Sequence, residues 1–203
     1  MTIATRKQRE KEEMRSLILD AARKIFLEKG YHDTSMRNIA EEIQYSPGTI
    51  YLYFRDKDEI FHALHEEGFR RMLTKMQPLG HVSSPFERLK ALGKVYLEFA
   101  TENKDFYDLM FIMQAPIKHE ADHEQWEMGH QTLDYLKQVL TECKKEGYFK
   151  GKNIEYLSFA VWSGVHGMAA LYCRERCKAY HDIEPGELIE EGYKYLVNML
   201  ENL

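Results

Sequence analysis

Apolar side chains recur along most of this chain at steps of three and four residues, the spacing that puts them on one face of an α-helix. In the segment 9–29 the row comprises Ile18, Ala21, Ala22, Ile25 and Phe26. The alternation of Val, Ile and Thr with polar residues that is typical of β-strands does not occur in long runs. The pattern therefore predicts an all-α protein.

Glycine, proline and capping residues mark where the predicted helices begin and end. Gly30 stops the first helix in the left-handed conformation that suits glycine. Ser46 followed by Pro47 has the order of a helix N-cap and first helical residue. We predict nine helices, at about residues 9–29, 33–43 with its caps, 46–54, 57–77, 85–102, 105–114, 123–146, 154–180 and 185–203.

Charge is distributed unevenly along the chain. Residues 1–57 carry 11 Lys and Arg against 9 Asp and Glu, a balance of +2, whereas residues 58–203 carry 17 against 24, a balance of −7. The more positive first part is suited to meet a polyanion. We predict a smaller N-terminal domain, residues 1–57, joined rigidly to a larger helical domain, residues 58–203.

Two short helices within residues 33–54 are joined by the three-residue turn 44–46. This is the layout of a helix-turn-helix, whose second helix enters the major groove of DNA. Gly48 keeps side-chain bulk away from the start of that helix, and Thr49 suits a base edge or a thymine methyl group. Tyr51 and Tyr53 end in hydroxyls that can reach bases or phosphates.

Residues 46–57 also carry a family signature. The run reads Ser46-Pro47-Gly48-Thr49-Ile50-Tyr51-Leu52-Tyr53-Phe54, followed by Lys57. It resembles the tetracycline-repressor (TetR) family of bacterial regulators, over about residues 18–64. The resemblance implies a three-helix DNA-binding domain, a helical ligand-binding domain and a homodimer. The predicted DNA-binding residues are Thr34, Ser46, Pro47, Gly48, Thr49, Tyr51, Tyr53 and Lys57.

The turn departs from the family pattern. Gln44 stands where the family usually has glycine, and a glutamine held in the left-handed conformation costs about 1 kcal/mol or more relative to glycine. Tyr45 replaces a small aliphatic residue. The sequence therefore does not fix the angle at which the second helix meets DNA. Pro47 replaces a frequent basic residue and removes one possible phosphate contact.

The basic segment from Arg6 to Lys11 leaves two interpretations open. A solvated charged end of the first helix is one of them. Contact with DNA phosphates or with the minor groove is the other.

The last predicted helix carries an apolar seam for another helix, because its apolar residues alternate at steps of four and three. Small residues lie one turn apart on the preceding helix, where a partner backbone can approach. We predict that these helices form a homodimer interface; the alternative is that both are internal core. The predicted interface residues are Ala160, Gly164, Gly167, Ile189, Tyr193, Leu196 and Leu200.

Aromatic and polarizable side chains of the second part suit an apolar ligand pocket, whose existence the family resemblance implies. The stretch Trp162 to Gly167 is also similar to a Trp…His-Gly signature of one TetR C-terminal subgroup. Plain core is the alternative for most of these residues, including His166. The predicted pocket residues are Met110, Phe111, Trp126, Trp162 and His166.

Other classes of protein find little support in the sequence. The apolar stretch 156–173 suits a buried helix better than a membrane span, and an odd count of three cysteines favours a reducing cytoplasm. His119 with His123, and Cys173 with Cys177 and His181, have helical spacing but too few ligands, so we predict no metal. We predict no cofactor and no enzymatic activity, since no catalytic motif occurs.

These observations predict a homodimeric transcriptional regulator. The expected activity is repression at a palindromic operator of double-stranded DNA, with release by a small-molecule effector of unknown identity. The alternative is a helical ligand-binding or scaffold protein of the same fold that does not bind specific DNA.

Overall fold

The computed structural model describes residues 3–114 and 127–203, and within these ranges the regular structure is helical, without strands. The α-helices are α1 (Ile3–Asp33), α2 (Met36–Glu42), α3 (Pro47–Tyr51), α4 (Lys57–Met76), α5 (Pro85–Glu102), α6 (Lys104–Tyr107), α7 (Glu127–Lys145), α8 (Ile154–Cys173) and α9 (Pro185–Glu201). Tighter turns occupy Gln77–His81 and Arg176–Ala179, and a π-helical turn occupies Asp108–Ile112. The predicted all-α class is confirmed.

The described residues form two compact units. The first unit comprises residues 3–68 and 105–114, and the second comprises residues 69–104 and 127–203. The predicted domain boundary between residues 57 and 58 coincides with the first residue of α4. It stays a prediction, since compactness alone does not define a functional domain.

Helix α1 is longer than its sequence pattern predicted, because it begins at Ile3 rather than near Arg9. Its regular path is interrupted at Gly30, which has φ 78° and ψ 167°. The φ value is positive, as expected, but the conformation is extended rather than left-handed helical. Tyr31 then packs back and stacks on Phe26, with ring centroids 5.8 Å apart.

Three predicted helices are shorter than expected, and the first of them, α3, ends at Tyr51 rather than near Phe54. The prediction that one helix spans 154–180 is wrong: α8 ends at Cys173, and Glu175 adopts φ 55°, which no α-helix accommodates. The predicted helix 105–114 is divided into α6 and the π-helical turn. The first residues of the predicted helix 123–146 lie outside the described residues, and α7 covers the rest to Lys145.

The second unit is built around a core in which α5, α7, α8 and α9 meet. Its buried residues are Phe86, Leu89, Val139, Leu140, Cys143, Phe149, Leu157, Val161 and Leu200. Burial of this apolar surface supplies the main stabilisation of the unit. Within the described ranges, no helix combines the length and apolarity needed to cross a bilayer.

Candidate nucleic-acid interface

The two short helices of the first unit are capped by serines. Ser35 accepts a hydrogen bond from the backbone N–H of Asn38, and the Asn38 side chain accepts one from the Ser35 backbone N–H, which completes a capping box. Ser46 caps α3 with its side chain, because its Oγ accepts from the Thr49 N–H at 3.2 Å. Pro47 occupies the first turn, where its missing N–H costs no hydrogen bond.

The turn between α2 and α3 contains a strained residue. Gln44 has φ 60°. It therefore adopts the left-handed conformation, at the position where the family usually has glycine. The N–H groups of Gln44 and Tyr45 donate back to the Glu41 and Ala40 carbonyls, at 3.1 Å and 3.0 Å. The two short helices are therefore joined by a hydrogen-bonded turn, in which a glutamine adopts the strained conformation.

A small core fixes α3 against the rest of the first unit. Ile39, Ala40 and Ile50 are fully buried, and Phe54 closes the end of the α3 segment. The Arg15 guanidinium of α1 lies over the Phe54 ring, 4.2 Å from its centroid, and adds a cation–π contact. The opposite face of α3 is exposed.

The exposed face of α3 holds most of the predicted DNA-binding residues. Ser46, Pro47, Gly48 and Tyr51 are exposed, and Thr49 and Tyr53 are half-buried. The Ser46 and Thr49 hydroxyls lie 3.0 Å apart at the beginning of the helix. Neighbouring polar groups at a helix start are suited to meet a groove edge.

Sequence reasoning missed one residue of this face. Leu52 is 79% exposed, the highest exposure of any large apolar side chain on the described part of the first unit. Its neighbours Ile50 and Phe54 point into the core, and that alternation places Leu52 outside. An apolar side chain on this face is suited to thymine methyl groups.

Thr34 and Lys57 occupy a different environment from the residues of α3. Thr34 is buried, and its hydroxyl donates to the Gly30 carbonyl at 2.7 Å. The Lys57 ammonium donates to the carbonyls of Tyr31, His32 and Thr34, at 2.8, 3.2 and 2.9 Å, and lies over the Tyr31 ring. Both side chains hold the connection between α1 and α2, and their contact with DNA stays a prediction.

Tyr31 reinforces the same connection. Its hydroxyl donates to the Asp58 carboxylate in the first turn of α4. Burial, followed by that hydrogen bond and the negative charge of Asp58, raises the pKa of Tyr31 well above its ordinary value. The phenol is therefore protonated at neutral pH and acts as a permanent donor beneath the helix-turn-helix.

Comparison with known proteins identifies the family. Residues 18–64 match the family described as "Bacterial regulatory proteins, tetR family", and residues 89–194, more than half of the chain, match "Tetracyclin repressor-like, C-terminal domain". The chain belongs to the TetR family. The predicted family is confirmed, although membership of the subgroup with the Trp…His-Gly signature stays a prediction.

One curated relative of this TetR-family chain matches nearly its whole length. The HTH-type transcriptional regulator HbdR of Aromatoleum sp. (strain CIB) is 51% identical over 92% of this chain and 80% of its own length. Other matches are local: those to YfiR and to the fatty acid metabolism regulator protein, both of Bacillus subtilis, are 31% and 37% identical. They cover 54% and 30% of this chain, and 50% and 31% of those relatives.

Solved structures share the TetR fold with this chain. A putative TetR-family regulator of Syntrophomonas wolfei is 21% identical, with a TM-score of 0.75, over 95% of this chain and 96% of its own. FadR of Bacillus subtilis, in complex with stearoyl-CoA, is 20% identical with a TM-score of 0.74, over 90% of this chain and 97% of its own. At these identities the likeness shows the fold alone.

The predicted pocket residues are distributed over both units. In the first unit, Met110 is buried against Gly68, where an added Cβ would lie 2.4 Å from the Met110 sulfur. Phe111 is half-buried, and its ring centroid lies 5.5 Å from that of Tyr107. Trp126 lies outside the described residues. A pocket role for these residues stays a prediction.

In the second unit, Trp162 and His166 converge on one tyrosine. The Tyr96 hydroxyl and His166 Nδ1 form a 2.9 Å hydrogen bond, and the Trp162 indole N–H donates to the same hydroxyl at 3.4 Å. Burial lowers the pKa of His166. The arrangement matches the alternative of a histidine satisfied inside the unit, while contact with a ligand stays a prediction.

The predicted interface residues divide into two groups. Gly164 contacts Leu196, Tyr193 packs on Gly93 and donates to the Lys90 carbonyl at 2.6 Å, and Leu200 is buried. These residues make contacts inside the chain, because the apolar seam of α9 faces α8 and α5. The others, Ala160, Gly167 and Ile189, are exposed or half-buried.

The large exposed side chains of α8 and α9 were not predicted. Tyr156 and Phe159 of α8 are 79% and 68% exposed, and Tyr195 and Met199 of α9 are 72% and 61% exposed. The sequence signal was available, since Tyr195 and Met199 lie one turn apart on the side of α9 opposite its inward seam.

The candidate metal ligands show no clustering within the described ranges. No three His, Cys, Asp or Glu side chains there are grouped as a metal ion would require. Cys173 donates to the Ala100 carbonyl at 3.4 Å, and Cys177 is buried. His119 and His123 lie outside the described residues.

Proposed function

We propose that this chain is a homodimeric cytoplasmic repressor that binds a palindromic operator through α2 and α3 and leaves it when a small-molecule effector binds. The observation that carries the proposal is the face of α3, whose capped, small and hydroxyl-bearing residues are exposed above a complete core. Membership of the TetR family supports the same function.

The support for DNA binding comes from what each part of α3 offers. Ile50 and Phe54 are buried and pack in the core of the first unit. Because the exposed side of the helix makes few such contacts, it contributes little to the stability of the unit. Thr49 and Tyr51 present groups that suit base edges and phosphates. In a dimer, two such helices about 34–36 Å apart would meet successive turns of the major groove.

Anisotropy titration with duplex fragments from the promoter region beside the gene tests this function. We expect tight binding to one fragment, a clear preference over a shuffled duplex, and a steep loss of affinity with salt. Equal affinity for all duplexes would contradict the proposal and favour the alternative of a ligand-binding or scaffold protein. Thr49→Ala should change the preference between duplexes, whereas Tyr53→Phe should weaken binding to all of them.

The proposed dimer uses the outward faces of α8 and α9. Tyr156, Phe159, Tyr195 and Met199 expose large apolar area, which monomeric proteins rarely leave in contiguous patches. Ala160 and the open position at Gly167 lie on α8 with Tyr156 and Phe159, and they allow a close approach. A second copy is the occupant that would place two α3 helices on a palindrome. Sedimentation of the full chain should give twice the monomer mass.

The first effector class to test is an acyl-CoA thioester. The support is the name of one relative, the fatty acid metabolism regulator protein, and the stearoyl-CoA complex of FadR. Stearoyl-CoA and shorter acyl thioesters would be added to the protein–DNA complex, with free coenzyme A as control. Release by a thioester and not by coenzyme A supports the class. Release by none rejects it without affecting the DNA-binding proposal.

A further inference from the structure

The N-terminal part of α1 carries two charged faces that differ in their pairing. On one face, Arg6 forms an ion pair with Glu10 at 2.7 Å, and Arg9 forms one with Glu13 at 3.2 Å. The remaining glutamate of this stretch, Glu12, accepts a hydrogen bond from Gln8 at 2.8 Å. All three acidic side chains of residues 10–13 are therefore engaged.

The other face is basic, and no acidic side chain of the described residues is paired with its lysines. Lys7 and Lys11 are exposed, and the ion pairs of this stretch within the described ranges are those of Arg6 and Arg9. Together with Arg15 they make a row of three positive charges at successive i,i+4 positions. Like charges at this spacing repel one another and destabilise a helix. Repulsion within this row thus destabilises the helix in the isolated chain, and binding of a polyanion would remove that repulsion.

The direction of this row follows from the buried side of α1. Positions 7, 11, 15, 18 and 22 follow one another at steps of four, four, three and four, so they lie on one side of the helix. Ile18 and Ala22 of that side are fully buried against the other helices of the first unit. Lys7 and Lys11 therefore extend the inward side of α1 beyond the end of the core.

Arg15 links the row to the end of α3. Its guanidinium lies over Phe54, which follows the exposed Tyr51 and Leu52. At a rise of about 1.5 Å per residue, Lys11 and Lys7 lie about 6 Å and 12 Å farther along the α1 axis. That distance is on the order of the spacing between a few successive phosphates on duplex DNA.

We propose that the Lys7 and Lys11 face of α1 contacts the phosphate backbone of the DNA bound by α3. The inference rests on the proposed function and names a further part of the same surface. It assigns the two faces of the basic segment different roles: Lys7 and Lys11 contact phosphate, while Arg6 and Arg9 stabilise the helix through their glutamates. Phosphate contacts position the protein and carry no sequence information.

The test compares two double variants of the full chain that lose the same formal charge, Lys7→Gln with Lys11→Gln and Arg6→Gln with Arg9→Gln. Glutamine has nearly the helix propensity of lysine and arginine, so α1 should be retained, and circular dichroism checks this. Affinity would be measured between 50 and 200 mM salt, on a duplex that the wild type selects from a random pool and on a scrambled duplex.

Each phosphate contact contributes about 0.9 to the slope of log affinity against log salt. The proposed dimer makes four such contacts, two from each copy, so we expect the lysine variant to lose about 3.6 from the slope, and the decrease in affinity between 50 and 200 mM salt becomes on the order of a hundredfold smaller. The arginine variant should keep the wild-type slope. The preference for the selected duplex should not change in either variant.

Two outcomes would overturn the inference: a wild-type slope in the lysine variant, or an equal loss of slope in both variants. Failure of the proposed function would look different, because the wild type would then bind the selected and scrambled duplexes equally. The slope is measured on both duplexes, so the contribution of the lysines is decided in either case.

Discussion

The exposed faces of α3 and of the α8 and α9 pair both display aromatic residues, but their surroundings differ. On α3, Tyr51 stands among Ser46, Gly48 and Thr49, which are small or carry hydroxyls. On α8 and α9, Tyr156, Phe159, Tyr195 and Met199 dominate the exposed apolar surface. The difference agrees with the partners proposed for them: a hydrated, charged groove for α3, and a second copy of the chain for α8 and α9.

The two units also differ in what supports these faces. The helix-turn-helix is supported by hydrogen bonds between polar groups. Lys57 donates to three backbone carbonyls, Thr34 donates to the Gly30 carbonyl, and Tyr31 donates to the Asp58 carboxylate. Beneath the outward face of α9 lies apolar packing of Leu196 on Gly164 and of Leu200 in the core. Directional bonds fix the orientation of a short helix that has little area to bury, whereas a long helix is fixed by the area itself.

The largest expected effect lies on α8. Phe159→Asp places a charge in the proposed interface of both copies, and burial of an unpaired charge is strongly unfavourable. We expect the dimer to weaken by at least about 2–4 kcal/mol, the range of interface hot spots, and sedimentation to give the monomer mass at micromolar concentration. Leu17→Asp, at an exposed apolar position of α1, is the matched control and should leave the mass unchanged.

The next effect concerns the buried His65 of the first unit, whose Nε2 lies 3.1 Å from the Met110 carbonyl. Burial lowers the pKa of His65 to about 4, while the unfolded chain keeps 6.5. The unfolded state therefore takes up the proton first, and stability falls as the pH decreases from 6.5 to 4. The full loss is roughly 3 kcal/mol.

Urea unfolding of the full chain at pH 7.5, 6.5 and 5.5, each pH taken at about the same salt, measures this dependence. His65→Gln, which keeps an amide N–H donor, should be less stable at neutral pH but should lose the part of the pH dependence below 6.5. His32→Gln, at an exposed position, is the control. Parallel pH profiles for the wild type and His65→Gln would show that the group does not titrate as described.

A smaller effect is expected at Lys57. Lys57→Met keeps the aliphatic stem but removes three hydrogen bonds to carbonyls, and we expect a loss of about 2 kcal/mol in the free energy of unfolding. Lys24→Met, which breaks only the exposed pair with Glu42, should change stability little. If the two variants unfold alike, the carbonyl contacts of Lys57 do not stabilise the connection between α1 and α2.

The smallest effect should be a gain. Gln44→Gly relieves a left-handed residue, and we expect stabilisation of about 1 kcal/mol. The same substitution at Gln131, an exposed helical position of α7, should instead destabilise by about 1 kcal/mol. Thermal unfolding of both variants measures the two signs. A loss of stability at both positions would mean that strain at Gln44 does not limit the turn.

Much of this architecture was predictable from local signals. The bounds of α5 agree with prediction at both ends, because Pro85 starts it and the apolar period persists to Glu102. The serine cap at Ser46 was equally visible, since capping depends on residues within one turn. The end of α8 was not predictable, because the apolar period continues past Cys173 while the backbone at Glu175 leaves the helix.

The sequence by itself determined the helical class, the helix-turn-helix and the family, because periodicity, caps and a compact motif are encoded in neighbouring residues. Only the tertiary structure decided which face of each helix is used inside the chain. The seam of α9 turned inward onto α8 and α5, leaving Tyr195 and Met199 outside. Lys57 turned to three backbone carbonyls. The physical reason is that the helical period fixes only which side chains share a face of a helix. Which other helix packs against that face depends on residues far apart in sequence.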